Sequence, residues 1–560
     1  MPLNIITFFI FYNLILFSVL GFGFFASKIF FKNRLNKNLG FVGLLGLFFL
    51  LIYSYYSHFF IPHDYIHNVV ILLVGLFLFI YFIKDFDFLS FKILLVVFLC
   101  LFLILLLFKT HDDFHYYHFP YTYYITQHSL LIGIGQFNHG FRTPSSIFYL
   151  NSLFYLPLAK YYLFYVPTLL IMGFSNQILI SKFFEYFRDK KIDFIFFLSA
   201  CFFIFINIFF YRLQEHGTDR SAQILILILF LQLLTFLNFK KDARNDLIQM
   251  IVILGLIISL KAFYILYLLV PLVVFWILYK EDKLYFLRDV IKNKIFYFFL
   301  SLIIAVIVTN FLNTSCLIYP LNFLCFENFD WSLGSNEIEK MNQHYNLWSK
   351  SGHTPTFKVN NPEIYLKDFN WVHNWINDYF FNKVSDLIFG LLFTSSFLIL
   401  FFYQKKTKKI FYNKNYNLLV LLILFLLIEW FINHPALRYG GYALFAIIFF
   451  MPVSIILAKF RNNFDQVYKK TKILFCIVVV VFLTRNYIRI NDEYNKYNYS
   501  SLMKPFYKVD ERHFRIEKIF SELIDNFEKC EKSSNKCNYE KSLQVKKILK
   551  NRYIFVVKND

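Results

Sequence analysis

Long apolar runs recur along this chain, and they constrain its fold more than any other feature. Residues 93–108, 194–211 and 418–431 are three of them. A segment of about 20 apolar residues satisfies its own backbone hydrogen bonds as a helix and crosses the hydrocarbon layer. A water-soluble core needs no such series: 58% of the 560 residues are hydrophobic, against about 45–50% in a typical soluble chain. The pattern predicts an all-α polytopic membrane protein. The 79 Phe and 40 Tyr accompany abundant Lys, Asn and Ile, the composition an AT-rich genome produces, so they receive no functional weight.

The net charge of +21 would suggest nucleic acid as the partner of a soluble protein. Here the basic residues sit mainly in short loops, where they set orientation by facing the cytoplasm. No interleaved basic and aromatic groove is present, and nucleic acid is not an expected partner. Basic clusters include Lys28–Lys37, Lys182–Lys191, Lys280–Lys294, Lys405–Lys409 and Lys459–Lys472. They alternate with loops poor in positive charge at 57–64, 211–220 and 433–439. Threading the chain through that alternation gives about 14 transmembrane helices with both termini outside the cytoplasm, in a bacterial inner membrane. The first residues lack a basic flank and a small-residue cleavage site, so the first apolar stretch reads as a span rather than a signal peptide. The long run 247–279 reads as two spans that turn near Lys261.

The expected organisation is a transmembrane domain over 1–485, with external loops at about 109–160 and 313–386. An external tail or small cap domain follows over 486–560. Cys100, Cys201 and Cys476 lie inside apolar runs, where a thiol acts as a small hydrophobe. Cys316 and Cys325 lie in the second loop and Cys530 and Cys537 in the tail. Two close pairs on an oxidising side are disulfide candidates, with chance grouping as the alternative.

Residues suited to chemistry gather in these external stretches. The first loop opens Lys109-Thr-His-Asp-Asp-Phe-His-Tyr-Tyr-His-Phe-Pro120. Asp112 and Asp113 leave an apolar run amid His111, His115 and His118. A carboxylate that loses solvent at a membrane boundary becomes a better base. A helix cap accounts for one Asp but not for the second. Metal binding by these groups is open, although the spacing matches no zinc pattern. Glu215 and Asp219, in Gln214-Glu-His-Gly-Thr-Asp-Arg220, suit a sugar hydroxyl or a metal, and equally a cap with Gly217 as the turn. Lys261 lies among apolar residues, where an ionisable group normally has a partner or a purpose; snorkelling is its structural escape. Arg438 stands alone on the face that positive charge avoids, and its rigid fork of donors matches a phosphate. An Arg held by lipid headgroups is the plainer reading. His139 and Arg142 lie in the first loop with no spacing that singles them out. Trp331, Trp348, Trp371 and Trp375 in the second loop suit either sugar stacking or interfacial anchoring.

The acidic pair just outside an early span, followed by aromatics and Tyr117-His-Phe-Pro120, resembles the first periplasmic loop of GT-C membrane glycosyltransferases. That family includes the protein O-mannosyltransferases and the lipid A aminoarabinose transferases. The resemblance implies a GT-C-like bundle working on the periplasmic side of the membrane. Its partners would be a polyprenyl-phosphate-linked sugar donor and a lipid or polysaccharide acceptor of the cell envelope. It implies inverting transfer of a hexosyl or pentosyl group, with Asp113 or Asp112 as the base on the acceptor. Lys261 and Arg438 would hold the donor phosphate. Glu215, Asp219, Tyr117 and His118 would orient substrate or a metal, and a divalent cation is the one cofactor the residues leave open. The chain departs from the family in lacking the full Asp-Glu pair of the O-mannosyltransferases, and its tail matches no familiar sugar-binding domain. A lipid or polysaccharide transporter or flippase, and a surface-polysaccharide polymerase or ligase, are the rival readings. A transporter predicts internal repeats and charged groups at mid-membrane; the candidates here cluster at one face.

Overall fold

A computed structural model describes residues 4–31, 38–85, 87–190, 192–213, 217–239, 243–351, 359–407, 415–460, 463–500, 502, 507–533, 543–549 and 552–557. The membrane part begins with α1 (Ile5–Phe30), α2 (Leu39–His58), α3 (Tyr65–Phe82) and α4 (Phe88–Leu105). Two short helices, α5 (Phe119–Gln127) and α6 (Ile147–Ser152), fold within the first long loop. Then come α7 (Val166–Arg188), α8 (Phe194–Phe209), α9 (Gly217–Phe239), α10 (Ala243–Leu260), α11 (Leu269–Lys280), the short α12 (Tyr285–Ile291) and α13 (Lys294–Thr314). The second loop holds α14 (Ser335–Lys350), α15 (Pro362–Leu366) and α16 (Val372–Trp375). The bundle closes with α17 (Ser385–Phe402), α18 (Asn415–Asn433), α19 (Gly441–Lys459) and α20 (Phe464–Tyr497). Last are α21 (Arg515–Ser533) and a hairpin of β1 (Leu543–Leu549) and β2 (Arg552–Val557). Among the described residues, 12 helices are long and apolar enough to cross a membrane, and the protein is a multi-pass membrane protein.

Local chemistry sets where the helices begin. Asn4, Asn38, Asp64, Asp87, Asp193 and Asn293 each accept a hydrogen bond from a first-turn backbone amide, which satisfies a donor the helix leaves unpaired. Packing then sorts the spans. α7 and α9 are almost wholly buried, whereas α20 turns most of its surface outward. Close approach of α1 to α3 depends on absent side chains: a Cβ at Gly21 would lie 1.9 Å from the Gly75 carbonyl oxygen. Small residues at such crossings let membrane helices meet backbone to backbone. The run 247–279 does break at Lys261, whose backbone is extended (φ −152°, ψ 136°) between α10 and a 3-10 turn over Ala262–Leu268.

The long loops gather at one end of the bundle. Asn68 Nδ2 donates to the carbonyls of His63 and Ser152, both at 2.8 Å, and Gly133 N–H donates to Leu312 O at 2.8 Å. Arg142 is a strut between the two loops rather than a cleft residue: it donates to Gly135 O (3.1 Å), Tyr319 OH (2.9 Å) and Glu337 Oε1 (3.0 Å). The second loop is closed by the Cys316–Cys325 disulfide. Cys530 is also disulfide-bonded, and its expected mate Cys537 lies outside the described residues.

The last span runs past the boundary drawn at 485: α20 continues to Tyr497, and Glu493 near its end accepts the Phe108 and Lys109 amides at 2.6 and 3.2 Å. The part beyond it carries α21 and a β-hairpin. β2 extends into the first loop: Ile132 N–H donates to Tyr553 O (3.2 Å) and Phe555 N–H to Ile132 O (3.0 Å). Phe520 of α21 and Phe555 of β2, both fully buried, close on Phe137 at ring distances of 4.5 and 4.9 Å. Replacing Phe555 by Ala is expected to cost about 3–5 kcal/mol of local packing. Limited proteolysis should then cut the tail of the variant at protease levels that leave the wild type intact, with the helical bundle retained.

Candidate functional site

The site forms where the first loop meets the start of α9, the end of α10 and the α18–α19 turn. Its first wall is a π-helical turn over Phe114–His118, held by the Asp113 carbonyl, which accepts the amides of Tyr116 (3.2 Å), Tyr117 (3.1 Å) and His118 (3.4 Å). The Asp113 carboxylate makes no capping bond. It lies 3.6 Å from His111 Nδ1, which also accepts the Asp113 amide at 3.0 Å. Asp112 is exposed. Of the adjacent acids, Asp113 is therefore the one tied into the site. Tyr117 packs against Gly140, where a Cβ would come within 2.3 Å of the ring.

The second wall is ionic. Lys261 Nζ stands 2.9 Å from Asp219 Oδ1, and Arg438 Nε lies 3.9 Å from Asp219 Oδ2. The Asp219 carboxylate thus faces two cations. Burial alone would push the Lys261 ammonium down, but the facing Asp219 carboxylate more than reverses this and holds it charged. Arg438 follows the same pattern, with Tyr439 and Asp219 opposing burial. Its Nη2 donates to Tyr439 OH at 3.0 Å, and its Nε is a buried donor without a hydrogen-bond acceptor among the described residues. Gln223 on α9 fixes this turn from below, donating to Arg438 O (3.0 Å) and accepting from the Ala443 amide (3.1 Å).

The two walls face each other. The Tyr117 hydroxyl is pushed up to about 12, chiefly by burial, and it feels Lys261, Asp113, Arg438 and Asp219 together. His118 is driven well below its ordinary range by burial, with His111 and Lys261 adding to the effect, so it is a neutral imidazole at physiological pH. Lys261 and Arg438 against the buried Asp219 carboxylate, with one guanidinium donor unused among the described residues, form an arrangement whose chemistry suits an anion. The Asp113 carboxylate bears electrostatically on both Tyr117 and Arg438.

The remaining expectations sort themselves by geometry. The three histidines do not converge: His111 stacks near His118 (5.9 Å), while His115 turns to His513 (5.9 Å). Among the described residues no three His, Cys, Asp or Glu side chains meet in a group that could hold a metal ion. Glu215 lies outside the described residues. Trp371 and Trp375 are buried, and Trp375 Nε1 donates to Pro435 O (2.6 Å). Trp331 Nε1 likewise donates inward, to Phe311 O (3.0 Å), so these three rings brace the loop instead of offering open faces to a sugar. Two residues escaped the sequence reading. Glu493 anchors the start of the first loop, and Glu429 sits in the apolar run of α18 beside the site. Glu429 was legible as the single acid in that run; nothing in the sequence paired Glu493 with residues some 385 positions earlier.

Lys261→Met would leave the Asp219 carboxylate buried opposite a methyl group, and breaking such a pair costs about 3–5 kcal/mol. The double variant Asp219→Asn/Lys261→Met should regain most of that loss. Thermal melting of the purified protein checks both, and additive losses would dissolve the proposed pairing.

A family described as Domain of unknown function (DUF8201) matches residues 5–445. The matched span covers all but the last segments of the bundle and includes every residue of both walls. No curated protein and no solved structure matches the chain. The chain belongs to the DUF8201 family.

Proposed function

We propose that this DUF8201 protein is a membrane glycosyltransferase of GT-C type, moving a sugar from a polyprenyl-phosphate donor to a cell-envelope acceptor. The observation that carries the reading is the meeting of Asp113 with the Lys261–Asp219–Arg438 group at one end of an apolar bundle. With α8 and α10 counted as spans, the bundle has fourteen. The helix ends from which the basic loops leave, those of α1, α7, α11 and α19, then lie at the opposite end. The positive-inside rule puts those loops in the cytoplasm and the site on the external face. A lipid-linked phosphate would meet Lys261 and Arg438 at that face.

In this reading Asp113 accepts the proton of the acceptor hydroxyl as its oxygen attacks the anomeric carbon. The new glycosidic bond forms as the bond from that carbon to the phosphate oxygen breaks. Polyprenyl phosphate departs with the electron pair, and Lys261 and Arg438 stabilise the growing charge. A single displacement inverts the anomeric centre. Asp219 acts as a positioning residue, holding both cations in place before the donor arrives. Tyr117 and His118, neutral at physiological pH, are donors for sugar hydroxyls between the two walls.

The test is donor turnover by purified protein with a panel of radiolabelled polyprenyl-phosphate sugars. Asp113→Asn should lower turnover by about 10²–10⁴-fold, the usual contribution of a positioned base, while Asp112→Asn stays close to wild type. Equal turnover by wild type and Asp113→Asn would overturn the assignment of the base. Turnover indifferent to Arg438→Gln would remove the phosphate site.

A further inference from the structure

Tyr439, whose hydroxyl accepts from Arg438, also lines a small cavity of ≈ 20 Å³ between the 3-10 turn, α18 and α19. That volume holds one water-sized group. It is lined by the aromatic residues Phe263, Tyr264, Tyr267, Trp430 and Tyr439 and by Glu429, with leucines completing the wall. Tyr264 and Tyr267 are almost completely buried, and among the described residues neither hydroxyl has a hydrogen-bond partner. Trp430 Nε1 is already committed to Ala436 O at 2.9 Å. His434, also at the wall, is pushed down to about 4 by burial and by Lys350, so it adds no positive charge at neutral pH. Lys350 itself stacks on Trp371, its ammonium 5.3 Å from that ring.

Glu429 is thus the acid of an aromatic chamber one turn from the end of a membrane span. It accepts from Asn433 Nδ2 at 3.1 Å, and among the described residues it forms no ion pair. An ionisable group in such a place normally has a partner. An anionic ligand would meet the carboxylate. An apolar one would strand two buried hydroxyls, at about 1–3 kcal/mol each. A water would serve the hydroxyls but leave the carboxylate without a counter-charge. A primary ammonium meets every demand: three N–H donors for Glu429 and the two tyrosine oxygens, and a positive charge against ring faces.

We infer that this cavity receives the primary ammonium of a ligand whose phosphate sits at Arg438 and Lys261. The inference rests on the phosphate-binding reading above and narrows the substrate to a phosphate lipid bearing an amine. Two sources share that chemistry: an ethanolamine phospholipid headgroup, and an amino sugar on polyprenyl phosphate.

The test measures binding to the purified full chain in detergent. The probes are short-chain phosphatidylethanolamine and a polyprenyl-phosphate amino sugar, each beside its N-acetylated counterpart. At least one amine form should bind about tenfold tighter or more than its N-acetylated form, in keeping with a hydrogen-bonded charge; which pair shows the preference identifies the source. Glu429→Gln should erase that preference while leaving the N-acetylated forms bound as in wild type, which also reports an intact fold. Tyr267→Phe should reduce the preference in part. Equal binding within both pairs, or a preference that survives Glu429→Gln, would overturn the inference. Arg438→Gln separates the two readings: if it weakens all four ligands while N-acetylation has no effect, the phosphate site stands and the ammonium pocket falls. If it leaves all four unchanged, both fall.

Discussion

The ion pair of Asp219 and Lys261, 2.9 Å apart, is the contact on which the arrangement of this end of the protein depends. Neither charge is stable alone among apolar helices, and each gives the other a reason to be there. The pairing joins the first turn of α9 to the end of α10. It coincides with the extended backbone at Lys261 that stops α10 and sends the chain into its 3-10 turn. Arg438, drawn to the same carboxylate, brings the α18–α19 turn against α9, where Gln223 locks it by two backbone hydrogen bonds. Three separate connections of the bundle are thereby fixed around one carboxylate. The first loop, whose own anchors are Glu493 and Arg142, is laid over them.

Much of this was legible in the sequence because it is written in local chemistry. Apolar runs between basic loops announce spans, and an isolated Lys261 or Arg438 announces a buried partner or ligand. The break at Lys261 could be foreseen because a charge halfway along a 33-residue run (247–279) fits no single span. What escaped was non-local. Glu493 looks like one acid among many in a charged stretch, and only the fold brings it under the Phe108 and Lys109 amides. The second-loop tryptophans suited sugar stacking and interfacial anchoring alike, because composition cannot tell an inward ring from an outward one. The hairpin partner of strand β2 is its neighbour β1, but its further bridge to Ile132 reaches more than 400 residues back and left no local signal.

The choice between Asp112 and Asp113 shows where sequence reading ends. Both leave the same helix with the same chemistry, and only the four-residue step from Asp113 to Tyr117, a spacing of the resembled superfamily, favours one of them. The fold adds what spacing does not: the Asp113 carboxylate lies 3.6 Å from His111 Nδ1 and bears electrostatically on Tyr117 and Arg438, whereas Asp112 is exposed.

The pairing of β2 with the first loop has a consequence for how the protein comes into being. The loop bearing Asp113 and Ile132 emerges from the ribosome hundreds of residues before the strand that completes it. A chain that has threaded its helices into the lipid still lacks Phe520 and Phe555 against Phe137. Until they arrive, the floor of the first loop is open. The packing of the first loop is therefore completed late, and a chain stalled after its last span would lack the contacts that close it.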